Sequence, residues 1–337
     1  MIDIDKKNIS RKNHISIDFF FKNTSQQFQI KLLNDEVGFD RLITDQNLHR
    51  PGLALAGFVD LFSFNRVQIF GNTEVRYLKQ LTKEQRKKTL ERIFKFEIPC
   101  LIFTGNNKPP KEVIEIANDH KVAVFGSKYS TTKTSYLIGD FLDDQFAERI
   151  SIHGSFVDVY GVGMLFVGKS GIGKSEVALD LVERGHRLVA DDVVIFTKKG
   201  EGILMGSGTN LVKHFMEVRG VGIVDVRSMF GIRAIRFQKR LELVVELEIW
   251  KDEGNYTRTG LDDKIIDITN VDIQYIKLPI VPGKNLTVIA EMIALNYLLK
   301  HYGYDAAKEL QKNLSDTINK KRKETNRVIN YFEHDFE

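Results

Sequence analysis

The sequence predicts an α/β protein of two domains. Three observations carry that prediction. The chain has 337 residues, about twice the span of one ordinary domain. Up to residue 130, short apolar runs alternate with amphipathic helical stretches, the pattern of a sheet flanked by helices. Beyond residue 149 the texture changes, and a glycine-rich loop with phosphate-binding spacing follows a strand-like run.

Composition narrows the class. Hydrophobic residues make up 42% and charged residues 28%, enough apolar material for two cores under a polar surface. The net charge of +4 is too small to mark a nucleic-acid-binding face. One cysteine, Cys100, excludes an internal disulfide and any need for an oxidising compartment. The opening "MIDIDKKNISRKNH" lacks the apolar core of a secretory leader. No apolar run reaches the ~20 residues of a membrane span. A cytoplasmic location without membrane contact is the expectation.

The elements follow in order. "RVQIFG" (66–71) and "CLIFTG" (100–105) read as buried strands. "LTKEQRKKTLERIFKF" (81–96) and "PKEVIEIANDH" (110–120) read as amphipathic helices, the second entered through Pro109 and Pro110. "VAVFG" (122–126) is the next strand. Residues 129–148 form a helical pattern with hydroxyl residues at its start. The expected organisation is a first domain over 1–130, a linker helix over 131–148, a second domain over 149–315 and a charged helical tail over 316–337. In the second domain, 155–159 and 164–167 alternate as strands about a turn at Gly161 and Gly163, which predicts a hairpin. The phosphate loop therefore follows an antiparallel strand, an unusual feed for a loop normally served by a parallel sheet. "LELVVELEIW" (241–250) is a strand, and 287–303 a helix.

Gly168, Lys169, Ser170, Gly171, Ile172, Gly173, Lys174 and Ser175 fit G-x-x-x-x-G-K-[ST]. Glycines let successive backbone N–H groups turn toward one anion, and the helix that follows adds its positive end. Lys174 reaches the β- and γ-phosphates of a nucleotide, and the Ser175 hydroxyl ligates Mg²⁺.

"RLVADD" (187–192) then ends an apolar run in two acids, Asp191 lying 17 residues after Lys174. Successive side chains of a regular strand point to opposite faces. One acid would face the metal and the loop, the other an incoming acceptor. A phosphotransferase needs that second acid to take a hydroxyl proton. Either order of the two roles fits the residues.

Further candidates are more dispersed. In "HFMEVRGVGIVDVRSMFG" (214–231), Glu217 is suited to a Mg²⁺ shell. Gly220 and Gly222 suit either a close backbone approach or a plain turn. Arg258, in the polar loop "NYTRTGLDD", can neutralise a transferring phosphoryl group, though lone loop arginines are ordinarily solvated. "LPIVPGKN" (278–285) is a rigid loop carrying Lys284, and His153 ends a strand before Gly154.

Taken together, "IHG", "VGKSGIGKSE", "RGHRLVADD", "EVRGVGIVDV", "TRTG" and "PIVPGKN" resemble the bifunctional HPr kinase/phosphorylase family of bacteria. The resemblance extends through "RPGLALAGFVDLFSFNRVQIFGNTEVRYL" and "IPCLIFTGNNKPP", roughly residues 15 to 315. It implies an N-terminal α/β domain similar to one in Mur-type ligases and a P-loop kinase domain related to phosphoenolpyruvate carboxykinases. It also implies a homohexamer. The implied activity is phosphorylation of a serine of the phosphocarrier HPr, with ATP or pyrophosphate as donor and Mg²⁺ as cofactor. The implied reverse is removal of that phosphate by inorganic phosphate, giving pyrophosphate.

By the same resemblance His153, Lys174, Asp192 and Arg258 are active-site residues, with Asp191 the neighbour of the acid/base Asp192. Ser175 and Glu217 are Mg²⁺ ligands. Met216, Glu217, Val218, Arg219, Gly220, Val221, Gly222, Ile223, Val224 and Asp225 form the segment serving both activities. Pro279, Ile280, Val281, Pro282, Gly283 and Lys284 form the dephosphorylation loop. Lys169 departs from the aspartate common at that loop position. Two other readings fit the phosphate loop: a kinase acting on a small molecule, and a non-catalytic nucleotide-dependent regulator. The latter's one support is "RAIRFQKRLE" (233–242), whose charges alternate like a solvated strand face.

Overall fold

The computed structural model describes residues 9–200, 202–209, 214–250 and 264–323, without the side chains of 319–323. Two compact units emerge, Ser10–Glu148 and, together with Ile9, the described residues from Arg149 onward. A short strand β1 (Ile9–Ser10) opens the described chain.

The first unit contains strands β2 (Ile15–Ser16), β3 (Ile30–Leu32), β4 (Leu42–Ile43), β5 (Leu48–His49), β6 (Val67–Phe70), β7 (Cys100–Phe103) and β8 (Ala123–Ser127). Its helices are α1 (Ile17–Thr24), α2 (Gly52–Ala56), α3 (Asn72–Gln80), α4 (Lys83–Phe94), α5 (Lys111–Asp119) and α6 (Thr131–Phe146). The main sheet has the order β3-β8-β7-β6-β5, parallel from β5 to β8 with β3 antiparallel at the edge. Every residue of β6 and β7 is buried, as expected of parallel strands covered on both faces. Phe70 and Phe103 join Leu78, Leu90 and Val113 in one core. Their strand neighbours Ile69 and Ile102 turn to the other, with Phe20 and Phe125.

That second core corrects the expected linker. Ile138, Leu142 and Phe146 of α6 are buried in it. At about 1.5–3 kcal/mol for each large apolar side chain buried, α6 is an integral layer of the first unit. The apolar stripe was visible in the sequence, but its partner surface was not.

The second unit contains strands β9 (Arg149–His153), β10 (Ser155–Val159), β11 (Val162–Gly168), β12 (Arg187–Ala190), β13 (Val193–Lys199), β14 (Ile203–Gly208), β15 (Phe215–Val218), β16 (Gly222–Asp225), β17 (Gln238–Arg240), β18 (Leu243–Ile249), β19 (Lys264–Asp267) and β20 (Asp272–Ile280). Its helices are α7 (Lys174–Glu183), α8 (Val226–Phe230), α9 (Leu286–His301) and α10 (Ala306–Lys323). A six-stranded sheet, β12-β10-β11-β18-β20-β19, lies between two layers. On one face Phe166, Leu243 and Val245 pack on Val177 and Leu181 of α7 and Ala290 and Ala294 of α9. On the other, Phe156, Leu165 and Val244 pack on Val194, Phe196 and Leu204 of the five-stranded sheet β1-β9-β13-β14-β17. The expected tail boundary at residue 316 falls inside α10, and residues 324–337 lie outside the described residues.

The predicted hairpin is present, with Val159 opposite Val162. The strand that feeds the phosphate loop is antiparallel to β10 on one side and parallel to β18 on the other. The sequence expectation was thus half of the arrangement, because β18 begins at Leu243, 75 residues after the loop strand ends at Gly168. Helix α7 ends in a Schellman motif: Gly185 N–H donates to Val182 O and His186 N–H to Leu181 O, each at 3.0 Å. Three side-chain ties join α7 to α9. Thr287 Oγ1 donates to Asp180 Oδ2 at 2.8 Å, and Glu291 receives Arg184 Nη2 at 2.6 Å and contacts His186 Nε2 at 3.0 Å. The hydrogen-bonded Arg184 guanidinium holds the Glu291 carboxyl below its ordinary range.

Candidate functional site

Strand β11 ends at Gly168 and α7 begins at Lys174, so the loop between them lies at the C-terminal end of an interior strand, leading into a helix N-terminus. This is the geometry that presents backbone N–H groups to an anion. The Lys174 ammonium donates to the carbonyls of Gly168 and Lys169, at 3.2 and 3.1 Å. Gly171 has φ +77°, and a Cβ there would stand 2.6 Å from Arg219 Nη2. The glycine therefore admits the Arg219 guanidinium against the loop.

A cleft of about 150 Å³ opens over the loop. Lys174, Ser175, Asp191, Asp192, Glu217 and Arg219 all line it, so residues spread over 46 positions of sequence meet at one place. Ser155 and Glu176 line it too, and sequence reasoning missed both. Glu176 follows the loop in the first turn of α7. Ser155 is one hydroxyl in an apolar strand and carries no motif signal.

The two acids part company here, but not by strand alternation. β12 stops at Ala190, and Asp191 and Asp192 lie in a bend, with Asp192 in the left-handed region at φ +67°. The Asp191 side chain goes inward. It is 5% exposed, and its Oδ1 accepts from Ser155 Oγ at 2.5 Å and Ser175 Oγ at 3.1 Å. Burial pushes its carboxyl above the ordinary range, and the two hydroxyls pull the other way. The Asp192 side chain goes outward and is 73% exposed, with Oδ1 3.1 Å from His153 Nδ1. His153, itself exposed at the end of β9, meets the cleft through that carboxylate.

The hairpin β15–β16 carries Glu217 and Arg219 to the cleft. The rest of the 216–225 segment supports it. Met216 is in the core, and Asp225 caps α8 by accepting from Ser228 N–H at 3.1 Å. Gly220 and Gly222 have φ +85° and +99°, and no atom of the described residues lies within 4 Å of a Cβ at either. Their positive φ serves the turn. Pro279 and Ile280 end β20, and Val281–Lys284 turn into α9 with Lys284 exposed. None of 279–284 lines the cleft. Arg258 lies outside the described residues.

The donor set fits a hard divalent cation. Ser175 Oγ and Asp191 share a hydrogen bond, Glu217 offers a carboxylate, and Asp191 Oδ2 is buried without a hydrogen-bond partner among the described residues. Among the described residues no group of three His, Cys, Asp or Glu side chains could hold a metal alone. Mg²⁺ usually takes one or two carboxylates and completes its shell with phosphates and water. Glu217→Gln is therefore expected to raise the Mg²⁺ requirement several-fold while preserving the fold. An unchanged Mg²⁺ titration of nucleotide binding would move the cation away from Glu217.

Residues 144–314 match the family description "HPr Serine kinase C-terminal domain", and residues 16–142 match "HPr Serine kinase N terminus". The chain belongs to the HPr serine kinase family. Relatives in this family include the HPr kinase/phosphorylase of Chloroherpeton thalassium, 53% identical with 100% of both chains covered. That of Prosthecochloris aestuarii is 52% identical, again over 100% of both. Among solved structures, the HPr(Ser) kinase/phosphatase from Coxiella burnetii is 31% identical, covering 48% of this chain and 97% of that one at a TM-score of 0.43. No described helix is long and apolar enough to cross a membrane.

Proposed function

We propose that this chain phosphorylates a serine of HPr from ATP and removes that phosphate with inorganic phosphate, giving pyrophosphate. One observation carries the reading: the cleft beside the phosphate loop holds two adjacent acids in opposite environments. Asp191 is buried against Ser175, and Asp192 is exposed beside His153. A protein hydroxyl is delivered from outside, so its base must stand at the surface. Full-length relatives named HPr kinase/phosphorylase support the substrate.

In the forward direction Asp192 accepts the serine proton, and His153 orients its carboxylate. In reverse Asp192 returns that proton to the departing serine oxygen as bound phosphate attacks. Lys174, freed from the loop carbonyls, binds the β- and γ-phosphates, and Arg219 adds positive charge above the loop. Ser175, Asp191 and Glu217 would hold Mg²⁺, which when bound neutralises phosphate charge. Arg258 is proposed as a further cation on the transferring group, and pyrophosphate as a second donor. The assembly is proposed to be a cytoplasmic homohexamer, a state that light scattering in solution tests directly.

The deciding experiment supplies purified HPr, Mg²⁺ and γ-labelled ATP, then inorganic phosphate. Phosphoserine on HPr followed by labelled pyrophosphate is the expected course. Label passing only to a small-molecule pool would overturn the proposal. Lys284→Ala is expected to slow dephosphorylation at least several-fold more than phosphorylation, because 279–284 matches the segment linked to that reaction. Equal loss of both rates at matched stability would remove that assignment.

A further inference from the structure

We infer that Ser155 is a positioning residue of the phosphate cleft, fixing Asp191 on the Ser175 side so that the adjacent acids take separate tasks. The inference rests on the Mg²⁺-nucleotide reading of the cleft given above.

Three consecutive residues at the corner between β9 and β10 grip the acid pair. His153 Nδ1 lies 3.1 Å from Asp192 Oδ1. Gly154 N–H donates to the Asp192 carbonyl at 3.1 Å. Ser155 Oγ donates to Asp191 Oδ1 at 2.5 Å. The corner has little freedom to drift. A Cβ at Gly154 would stand 2.5 Å from the Phe166 carbonyl oxygen, so the backbone is pressed against β11.

Ser155 is 1% exposed, which keeps water from competing for Asp191. A serine hydroxyl has one proton to give, and here it goes to the carboxylate. Asp191 Oδ1 thus receives two hydroxyls, from Ser155 and from Ser175. Asp191 Oδ2 is left buried with no hydrogen-bond partner among the described residues. A buried carboxylate oxygen without a partner carries a real desolvation cost. A hydrated cation beside Ser175 gives that oxygen a partner. Ser155 therefore holds one oxygen so that the other stays available. Without Ser155, both oxygens compete for the Ser175 proton, and the carboxylate loses its fixed rotation.

The test uses the full chain and a fluorescent ADP, titrated with Mg²⁺ and, separately, in EDTA. Ser155→Ala should raise the Mg²⁺ concentration for half-maximal tightening about tenfold, the scale of one lost hydrogen bond to a charged group. Affinity in EDTA should stay within about twofold, because the loop N–H groups and Lys174 remain. Ser155→Cys keeps the size of the side chain but donates weakly, and should shift the Mg²⁺ midpoint in the same direction. It carries the test if the alanine variant melts early. Unshifted Mg²⁺ midpoints would overturn the inference. Equal loss of affinity in EDTA and in Mg²⁺ would also overturn it, as the mark of a packing role. If the wild-type chain binds nucleotide without responding to Mg²⁺, the reading of the cleft fails and takes this inference with it. A normal wild-type response with unshifted variants removes Ser155 alone.

Discussion

An Asp192→Asn variant is expected to keep its nucleotide and lose transfer to HPr. The amide preserves size but can neither accept the serine proton nor return it. Loss of general acid/base assistance typically costs ~10²–10⁴-fold in rate. Nucleotide binding should survive, because Asp192 points outward to His153, whereas it is Asp191 that hydrogen-bonds Ser175. Asp191→Asn should show the opposite balance. Both hydroxyls bond its buried Oδ1. The amide puts a nitrogen donor in place of one of the two carboxylate oxygens, so either the hydroxyls or the cation side loses its acceptor. Mg²⁺-dependent affinity should fall first. Nucleotide titrations and both transfer rates, measured on both variants, decide the matter. If Asp192→Asn loses affinity while Asp191→Asn loses only turnover, the roles are reversed. If neither loses transfer, the paired acids do not serve this reaction.

Lys174→Ala is expected to reduce ATP-dependent transfer by at least ~10²–10³-fold, the scale for removing one preorganised electrostatic partner of a reacting group. The ammonium already lies inside the loop, held by the Gly168 and Lys169 carbonyls. Phosphates replace those carbonyls as partners, and alanine offers none. The fold should persist, since α7 is held through Val177 and Leu181 rather than through Lys174. A thermal melt checks this alongside the transfer rate. A folded variant with wild-type turnover would remove the phosphate loop from the mechanism.

How much of this was legible in the sequence depends on how local each cause is. The phosphate loop needs glycines and a lysine at fixed spacing within eight residues, so Gly168–Ser175 announced itself. The hairpin before it was local as well. The acid pair was found for a sound chemical reason but with the wrong geometry. A left-handed Asp192 is set by its surroundings, among them the Gly154 N–H that holds its carbonyl. Arg219 over Gly171 and Ser155 under Asp191 are contacts across 48 and 36 positions, and neither residue type is unusual where it stands. Helix α6 had a readable apolar stripe, yet only the fold shows that Phe20 and Phe125 share its core.

The ties between α7 and α9 have a consequence for local opening. Asp180–Thr287 and the Glu291 cluster join a helix that starts at the phosphate loop to one that starts just after Lys284. Separating the two breaks the partners of the buried Glu291 carboxylate, and both helices bury their apolar stripes in the same core. Their backbone amides should therefore exchange hydrogen with solvent as one cooperative group. Nucleotide bound at the start of α7 would slow exchange in α9 as well, some distance along the chain from any phosphate.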